Sequence, residues 1–389
     1  MTGYADLLPY CETDRQRQFI KALAEKGSIR KAASHLGVDQ RNLEKGLARV
    51  KLQAANRGFA PAFDLKHPVP PTHVLKGAST YYDQNWHVKA QWVKSERQHE
   101  DLIAGLRAAV DALKDDLPTY VPAKAAKGPR NADLLAQYTI TDYHLGMLAW
   151  GEETGADWDM DIAERLILKW FEAAIAAAPD SERCVFAQLG DFIHFDGFEA
   201  LTPANKHLLD VDTRFQKVVR TAIRVIRQII EMLCRKHWKV HVIMADANHD
   251  PAGGIWLREF LAHVYQNDKR VTVDNSADTY YKVEFGRTLL MYHHGHKKGP
   301  RDIDTVLARK FRAEFGKAKH VYAHLGHLHH DVVLETNLMR VEQHRTLAAQ
   351  DAYASRAGFM SNRDAKVIVY HKEHGEVFRL TLNPDMVWK

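Results

Sequence analysis

The chain has 389 residues, of which 46% are hydrophobic and 26% charged. This is the balance of a soluble globular protein long enough for two or three domains, and it excludes a disordered or fibrous one. The net charge is +5, and histidine, at 23 residues, is the compositional outlier.

Cys11, Cys184 and Cys234 are odd in number and far apart. That pattern argues against a disulfide framework or a thiolate zinc site and fits a reducing cytoplasm. No basic-then-apolar signal pattern opens the sequence, and no run of about 18 apolar residues is available to cross a bilayer.

In chain order, the basic charge comes first. Residues 1–130 carry 21 Lys and Arg against 14 Asp and Glu, and residues 15–94 carry 15 against 5, the footprint of a polyanion-binding module. Thr13 followed by Gln16 forms a capping box for a helix running to about Glu25, which Gly27 ends. Ser28 caps a short helix, Ile29–Leu36, and Gly37 supplies the turn before a longer helix from about Asp39 to Arg57. Short helix, glycine turn and longer helix make the helix-turn-helix arrangement. Ala33, Val38, Leu43 and Leu47 are placed to pack its two helices. Gln40, Arg41, Asn42, Lys45 and Arg49 fall on the exposed face of the second, where amides and guanidinium groups suit base edges and phosphates of DNA. A plain three-helix bundle with solvated lysines has the same pattern.

Residues 73–94 form a hairpin that would serve as a wing, with Asp83-Gln84-Asn85 as its turn and Trp86, Lys89, Trp92 and Lys94 nearby. A charged helix over about 95–117 is compatible with a homo-oligomer without requiring one. The stretch from Pro118 to Pro129 is rich in Pro, Ala and Lys and reads as a linker. The expected organisation is a DNA-binding domain over residues 1–117, a linker over 118–130 and a second domain over 131–389.

In that second domain, apolar runs at about 134–141, 184–189, 239–245, 288–292 and 320–325 alternate with helical patterns at about 161–178, 212–237, 254–266 and 302–316, which predicts an α/β layered fold. Beyond about residue 332 strands prevail, including Ala365–Tyr370 and Val377–Leu382. Each of the five apolar runs ends in a short motif: Asp142-Tyr-His144, Gly190-Asp191-Phe-Ile-His194, Asn248-His249-Asp250, His294-Gly295 and Gly326-His327-Leu-His329. Ligands of open α/β sheets gather beyond the carboxyl ends of strands, where all five would converge. Carboxylates and imidazoles without thiolates suit borderline divalent metals such as manganese, iron, nickel, zinc or cobalt. A shared carboxylate, for which Asp191 is the candidate, would hold two such ions about 3.5–4 Å apart.

These motifs, in this order, resemble the calcineurin-like metallophosphoesterase superfamily over roughly residues 132–389. The resemblance implies a four-layer αββα sandwich, here preceded by the small helical, winged helix-turn-helix domain. It implies two metal ions, one held by Asp142, His144, Asp191 and His329, the other by Asp191, Asn248, His294 and His327. His249 takes the position of the family's catalytic histidine, assisting the leaving oxygen while a metal-bridging hydroxide attacks phosphorus in line. His293 and His296 are left as packing or outer groups. The family usually has glycine before Asn-His-Asp, whereas Ala247 stands here, adding a methyl group where backbone and substrate approach closely. The Gly-Asp-x-x-His form, ending in His194, resembles the superfamily's double-strand-break-repair nucleases. There His194 would sit beside His249 and orient or tune it. Lys297, Lys298 and Arg301 follow His294 and are placed to steer a nucleic-acid backbone.

The combination resembles phage-encoded metallophosphoesterases with a helix-turn-helix segment and implies a two-metal phosphodiesterase or nuclease acting on DNA. Two alternatives remain open on the sequence. One is a phosphomonoesterase or small-nucleotide phosphodiesterase that uses the basic module for oligomerisation; the other is a DNA-binding regulator with a vestigial metal site.

Overall fold

The structure, a computed structural model, describes residues 4–61, 65, 73–82, 88–97, 121–124, 128, 130–203 and 206–388. The wing turn at Asp83-Gln84-Asn85, the charged helix expected over about 95–117 beyond residue 97 and much of the linker lie outside these residues; residues 95–97, the expected start of that helix, are instead strand. Two compact units divide the chain, Met1–Arg107 and Ala108–Lys389. Among the described residues, no helix is long and apolar enough to cross a membrane.

In the first unit, helix α1 (Asp14–Lys26) opens on the reciprocal Thr13/Gln16 capping box and ends at Gly27 in the left-handed conformation. Helix α2 (Ile29–Leu36) is capped by Ser28 and closed by Gly37, and Asp39 caps α3 (Gln40–Asn56). Ile20, Leu23, Ala33, Leu43, Leu47 and Val50 are buried together where the three helices meet, and Val38 packs against that cluster. Gln40, Arg41, Asn42, Lys45 and Arg49 are all exposed on α3. Strand β1 (His73–Tyr82) pairs antiparallel with β2 (Val88–Arg97), and Lys89, Trp92 and Lys94 are exposed on the second.

The second unit is built on two sheets. One contains β3 (Asn131–Ile140), β4 (Ser181–Gln188), β5 (Lys239–Met244), β6 (Val271–Val273), β12 (Ala365–His371) and β13 (Gly375–Leu382), in the order β13-β12-β3-β4-β5-β6. The other contains β7 (Tyr281–Phe285), β8 (Thr288–Tyr292), β9 (His320–Leu325), β10 (Val332–Glu335) and β11 (Arg340–Gln343), in the order β10-β11-β9-β8-β7. Strands β3, β4, β5 and β6 run parallel in the first sheet, and β8, β9 and β11 run parallel in the second.

The period-two alternation of side chains sorts each strand between two cores. In β4, Cys184 and Phe186 face helices α4 (Met160–Ala177) and α5 (Phe215–Lys236), while Val185 and Ala187 face the other sheet. In β8, Leu290 and Tyr292 point into the space between the sheets, and Leu289 and Met291 pack on helix α7 (Ile303–Lys310). The result is helices, sheet, sheet and helix in four layers. A buried hydrogen bond from the Tyr292 hydroxyl to Gln137 Oε1, 2.9 Å, joins the two sheets.

Two expectations for the second unit also need adjustment. The helix expected over about 302–316 is two segments, α7 and Arg312–Phe315, because Phe311 leaves helical backbone at φ −104°, ψ 41°. The stretch after β11 includes a short helix, α8 (Ala352–Ala357), capped by Asp351.

Candidate metal centre

Every motif-bearing strand delivers its residues at its carboxyl end. β3 stops at Ile140 before Asp142 and His144, β4 at Gln188 before Asp191, and β5 at Met244 before Asn248 and His249. In the facing sheet, β8 stops at Tyr292 before His294, and β9 at Leu325 before His327 and His329. Helix α6 (Pro251–Tyr265) begins directly after Asp250.

Backbone geometry sets these residues apart. Among the described residues, six other than glycine have positive φ: Asp142 (50°), His144 (48°), Asp191 (51°), His327 (77°), His329 (57°) and Lys206 (57°). Five of the six are expected metal ligands. Such conformations cost about 1–3 kcal/mol each and persist where the surroundings enforce them, characteristically at functional sites.

The side chains converge in two groups. Asp142, His144 and His329 form one, with His329 Nε2 3.1 Å from Asp142 Oδ1 and 3.4 Å from His144 Nε2. Asp191, His294 and His327 form the other, with His294 Nε2 3.1 Å from Asp191 Oδ2 and 3.0 Å from Asn248 Oδ1. The groups adjoin, since His294 Nε2 is 4.0 Å from Asp142 Oδ1. All seven residues expected as ligands are therefore together. Nitrogen and carboxylate lone pairs facing one another at these distances repel unless a cation or proton lies between them, so the donor set fits divalent metal ions.

The electrostatics agree. Burial opposes ionisation of Asp142 and Asp191, yet the neighbouring imidazoles, His329 and His294 foremost, outweigh it and hold both carboxyls well below the usual range. Burial likewise pulls His294 down, but Asp191 and Asp142 carry it up to about 9. His144 is pushed far below its ordinary value by burial and by His249 and His194, which leaves a neutral, metal-competent imidazole.

Outer contacts fix the expected ligands. His294 Nδ1–H donates to Leu189 O at 2.9 Å, which turns Nε2 toward the carboxylates. Asp142 Oδ2 accepts from the His327 N–H at 2.8 Å and from the Thr141 hydroxyl, and the Thr346 hydroxyl donates to Asp142 O at 2.6 Å. A Cβ at Gly326 would collide with Thr141 Oγ1 and fall 2.6 Å from Asp142 Oδ2, so this close approach admits only glycine. His293 instead donates from Nδ1 to Thr279 O at 3.0 Å and stacks on Tyr280, and His296 stacks on His293. The methyl group of Ala247 is buried over Gly190, whose added Cβ would lie 2.6 Å from it.

His249 donates its backbone N–H to Asp191 Oδ1 at 2.8 Å, and its Nδ1–H to His194 O at 2.9 Å. The neutral tautomer then has a free Nε2. His194 stacks on His249 with centroids 5.6 Å apart, while its Nδ1 lies 3.3 Å from His144 Nδ1. Burial pushes the His194 imidazole down to about 3, so it stays neutral between its two neighbours.

Sequence reasoning did not find Thr141 and Thr346. Thr141 adjoins a motif, but nothing in the sequence marks Thr346, which lies 204 residues from the Asp142 it holds.

No family profile and no curated protein matches the chain. Among solved structures, the chain is similar to an archaeal phosphodiesterase, at 13% identity over 64% of this chain and 99% of that one, with a TM-score of 0.33. It is also similar to Vps29 of Entamoeba histolytica complexed with zinc, at 10% identity over 64% and 99% of the two chains, with a TM-score of 0.27. Phosphopantetheinyl hydrolase of Mycobacterium tuberculosis matches at 10% identity over 58% and 93%, with a TM-score of 0.25. At these TM-scores the fold assignment rests on the strand order and layer packing described above.

Proposed function

We propose that the chain is a calcineurin-like metallophosphoesterase, a metal-dependent phosphodiesterase that cuts DNA with the help of its basic N-terminal module. The observation that carries this reading is the convergence of Asp142, His144, Asp191, Asn248, His294, His327 and His329 at the carboxyl ends of strands from two facing sheets, five of them on left-handed backbone. Asp142, His144, Asp191 and His329 would hold one divalent ion, and Asp191, Asn248, His294 and His327 a second. Manganese is the foremost candidate, followed by iron, nickel, zinc or cobalt. Ions bound there would supply Lewis acidity to phosphoryl oxygens and lower the pKa of water.

The chain's own groups do the rest. Asp191 is held by the His249 N–H, and His249 is oriented by the carbonyl of His194. Its Nε2, once protonated, is then the atom to hand a proton to the leaving oxygen, provided the substrate brings that oxygen within hydrogen-bond reach. Exposed Gln40, Arg41, Asn42, Lys45 and Arg49 on α3 support a DNA-binding role for the first unit. Lys297, Lys298 and Arg301 are exposed just after His294 and form no ion pair among the described residues, which suits steering of a polyanion.

The intact protein, assayed with Mn²⁺ on single-stranded, double-stranded and nicked DNA beside a chromogenic phosphodiester, tests this. Diester cleavage that disappears in Asp191→Asn and falls sharply in His249→Ala is expected. Activity confined to phosphomonoesters overturns the reading, and full diesterase activity in both variants overturns the site.

A further inference from the structure

The metal centre opens into a cavity of about 690 Å³, within the range of pockets that enclose a small ligand, ~300–1,000 Å³. His249 and His329 line it from the metal side. The segment following β11 also lines it, and its composition is unlike the rest of the site: Tyr353, Phe359 and Met360 are 66%, 63% and 84% exposed. Large apolar side chains left in water beside a polar centre mark a binding surface.

The backbone carrying them is pinned at several points. Asp351 caps α8, Gly358 ends it at φ 75°, and the Phe359 N–H returns to Ala354 O at 3.0 Å. The Ser355 hydroxyl donates to Glu153 O at 2.8 Å, and Arg356 pairs with Glu153 at 2.6 Å. Tyr353 and Phe359 are thereby held with centroids 6.5 Å apart and planes inclined by 51°. Arg363 lines the same cavity. It donates from Nε and Nη2 to Leu347 O at 2.9 and 2.7 Å, and its guanidinium lies 5.4 Å over the buried Trp158 ring, so it braces the backbone of this wall.

We propose that Tyr353 and Phe359 form a stacking platform for an unpaired nucleobase beside the scissile phosphate. The substrate class is a polynucleotide whose strand is single or frayed at the point of cleavage. Aromatic faces beside a centre suited to phosphate match the two halves of a nucleotide, an apolar ring and an anion. A base inside a duplex offers no free face to such rings and has to leave the stack first. This assignment rests on the phosphoesterase reading of the adjoining centre.

The test uses the full chain in EDTA, so that binding is read without turnover. Tetranucleotides carrying 2-aminopurine are titrated while fluorescence is followed, since stacking on a ring quenches that base. Single-stranded probe is expected to be quenched. The Tyr353→Ala/Phe359→Ala variant is expected to bind it roughly ten-fold more weakly, the effect of losing about one stacked base. A probe abasic at each position in turn is expected to show one position at which that difference disappears. Both side chains are exposed, so an unchanged melting temperature verifies the fold. Absence of quenching in the wild type, or an equal loss with every abasic probe, overturns the platform. Hydrolysis of a chromogenic diester by the Mn²⁺-loaded wild type is scored separately. Quenching without hydrolysis removes the reaction and keeps the stacking site, whereas hydrolysis without quenching removes the stacking site alone.

Discussion

The imidazole of His194 lies against His249, but it reaches toward His144: its Nδ1 is 3.3 Å from His144 Nδ1, while His249 is oriented by the main-chain carbonyl of residue 194 at 2.9 Å. Any residue at 194 supplies that carbonyl. Only a side chain with a ring nitrogen or comparable polar atom there can fix the orientation of His144.

His194→Ala is therefore expected to weaken metal binding by about 10–100-fold, the usual cost of removing an outer partner of a metal-binding histidine. Titration calorimetry with Mn²⁺ measures it. A variant with unchanged affinity but an altered pH profile of turnover would instead place the side chain with His249.

Gly326→Ala is expected to cost about 1–3 kcal/mol of stability and to reduce metal affinity, because its new methyl group would strike Thr141 and Asp142. Gly299→Ala, which meets nothing within 4 Å, is the control. Urea unfolding compares the two, and equal midpoints would show that the β9 loop relaxes.

Glu342 is buried between the sheets, with Lys366 Nζ at 2.9 Å and Arg379 Nη1 and Nη2 at 2.6 and 2.9 Å. Glu342→Ala leaves a buried lysine without this partner and is expected to cost about 3–5 kcal/mol. The double variant Glu342→Leu/Lys366→Met is expected to recover most of that. Denaturant titration of both checks it, and a loss under 1 kcal/mol for the single variant contradicts the role.

His237 is buried, donating from Nδ1 to Ser181 O at 2.9 Å, with the Tyr138 hydroxyl 3.0 Å from Nε2. Burial pushes its pKa down to about 4. The unfolded value is about 6.5, so between these two values the unfolded chain binds the extra proton and stability falls as pH drops. The contribution at about pH 5, relative to about pH 7.5, is a loss of ~2 kcal/mol. Unfolding titrations at both pH values should show a drop smaller by that amount in His237→Gln than in the wild type.

Salt dependence tests the N-terminal module. In the full chain carrying Asp191→Asn, replacing Arg41, Lys45 and Arg49 by alanine one at a time should each lower the slope of log affinity for DNA against log salt by about 1 if that side chain meets phosphate. A wild-type affinity independent of salt would remove DNA from the proposal.

Much of this architecture is legible in the sequence because local rules specify it. Thr13 with Gln16, Ser28 and Gly37 mark helix ends that the structure places at the same residues, and the five strands bearing motifs announce themselves by apolar runs. Other features arise only in three dimensions. Strands β6, β10 and β11 have three or four residues each, too short for a period to show. Left-handed backbone at Asp142, Asp191 and His327 is tolerated by aspartate and histidine better than by most residues but is adopted only where neighbours remote in sequence enforce it. Tyr353 and Phe359 fall in a stretch without periodicity, and their place beside His249 depends on how β11 enters its sheet.

The two sheets contribute to the centre unequally: Asp142, His144, Asp191 and Asn248 follow strands of one, whereas His294, His327 and His329 follow strands of the other. A cation gripped from both sides would act as a rivet through the sandwich. Its occupancy then reports on the gap between the sheets, so melting temperature should climb with metal concentration. A cavity cut at Tyr292, whose hydroxyl joins the sheets two residues before His294, should register as weaker metal affinity.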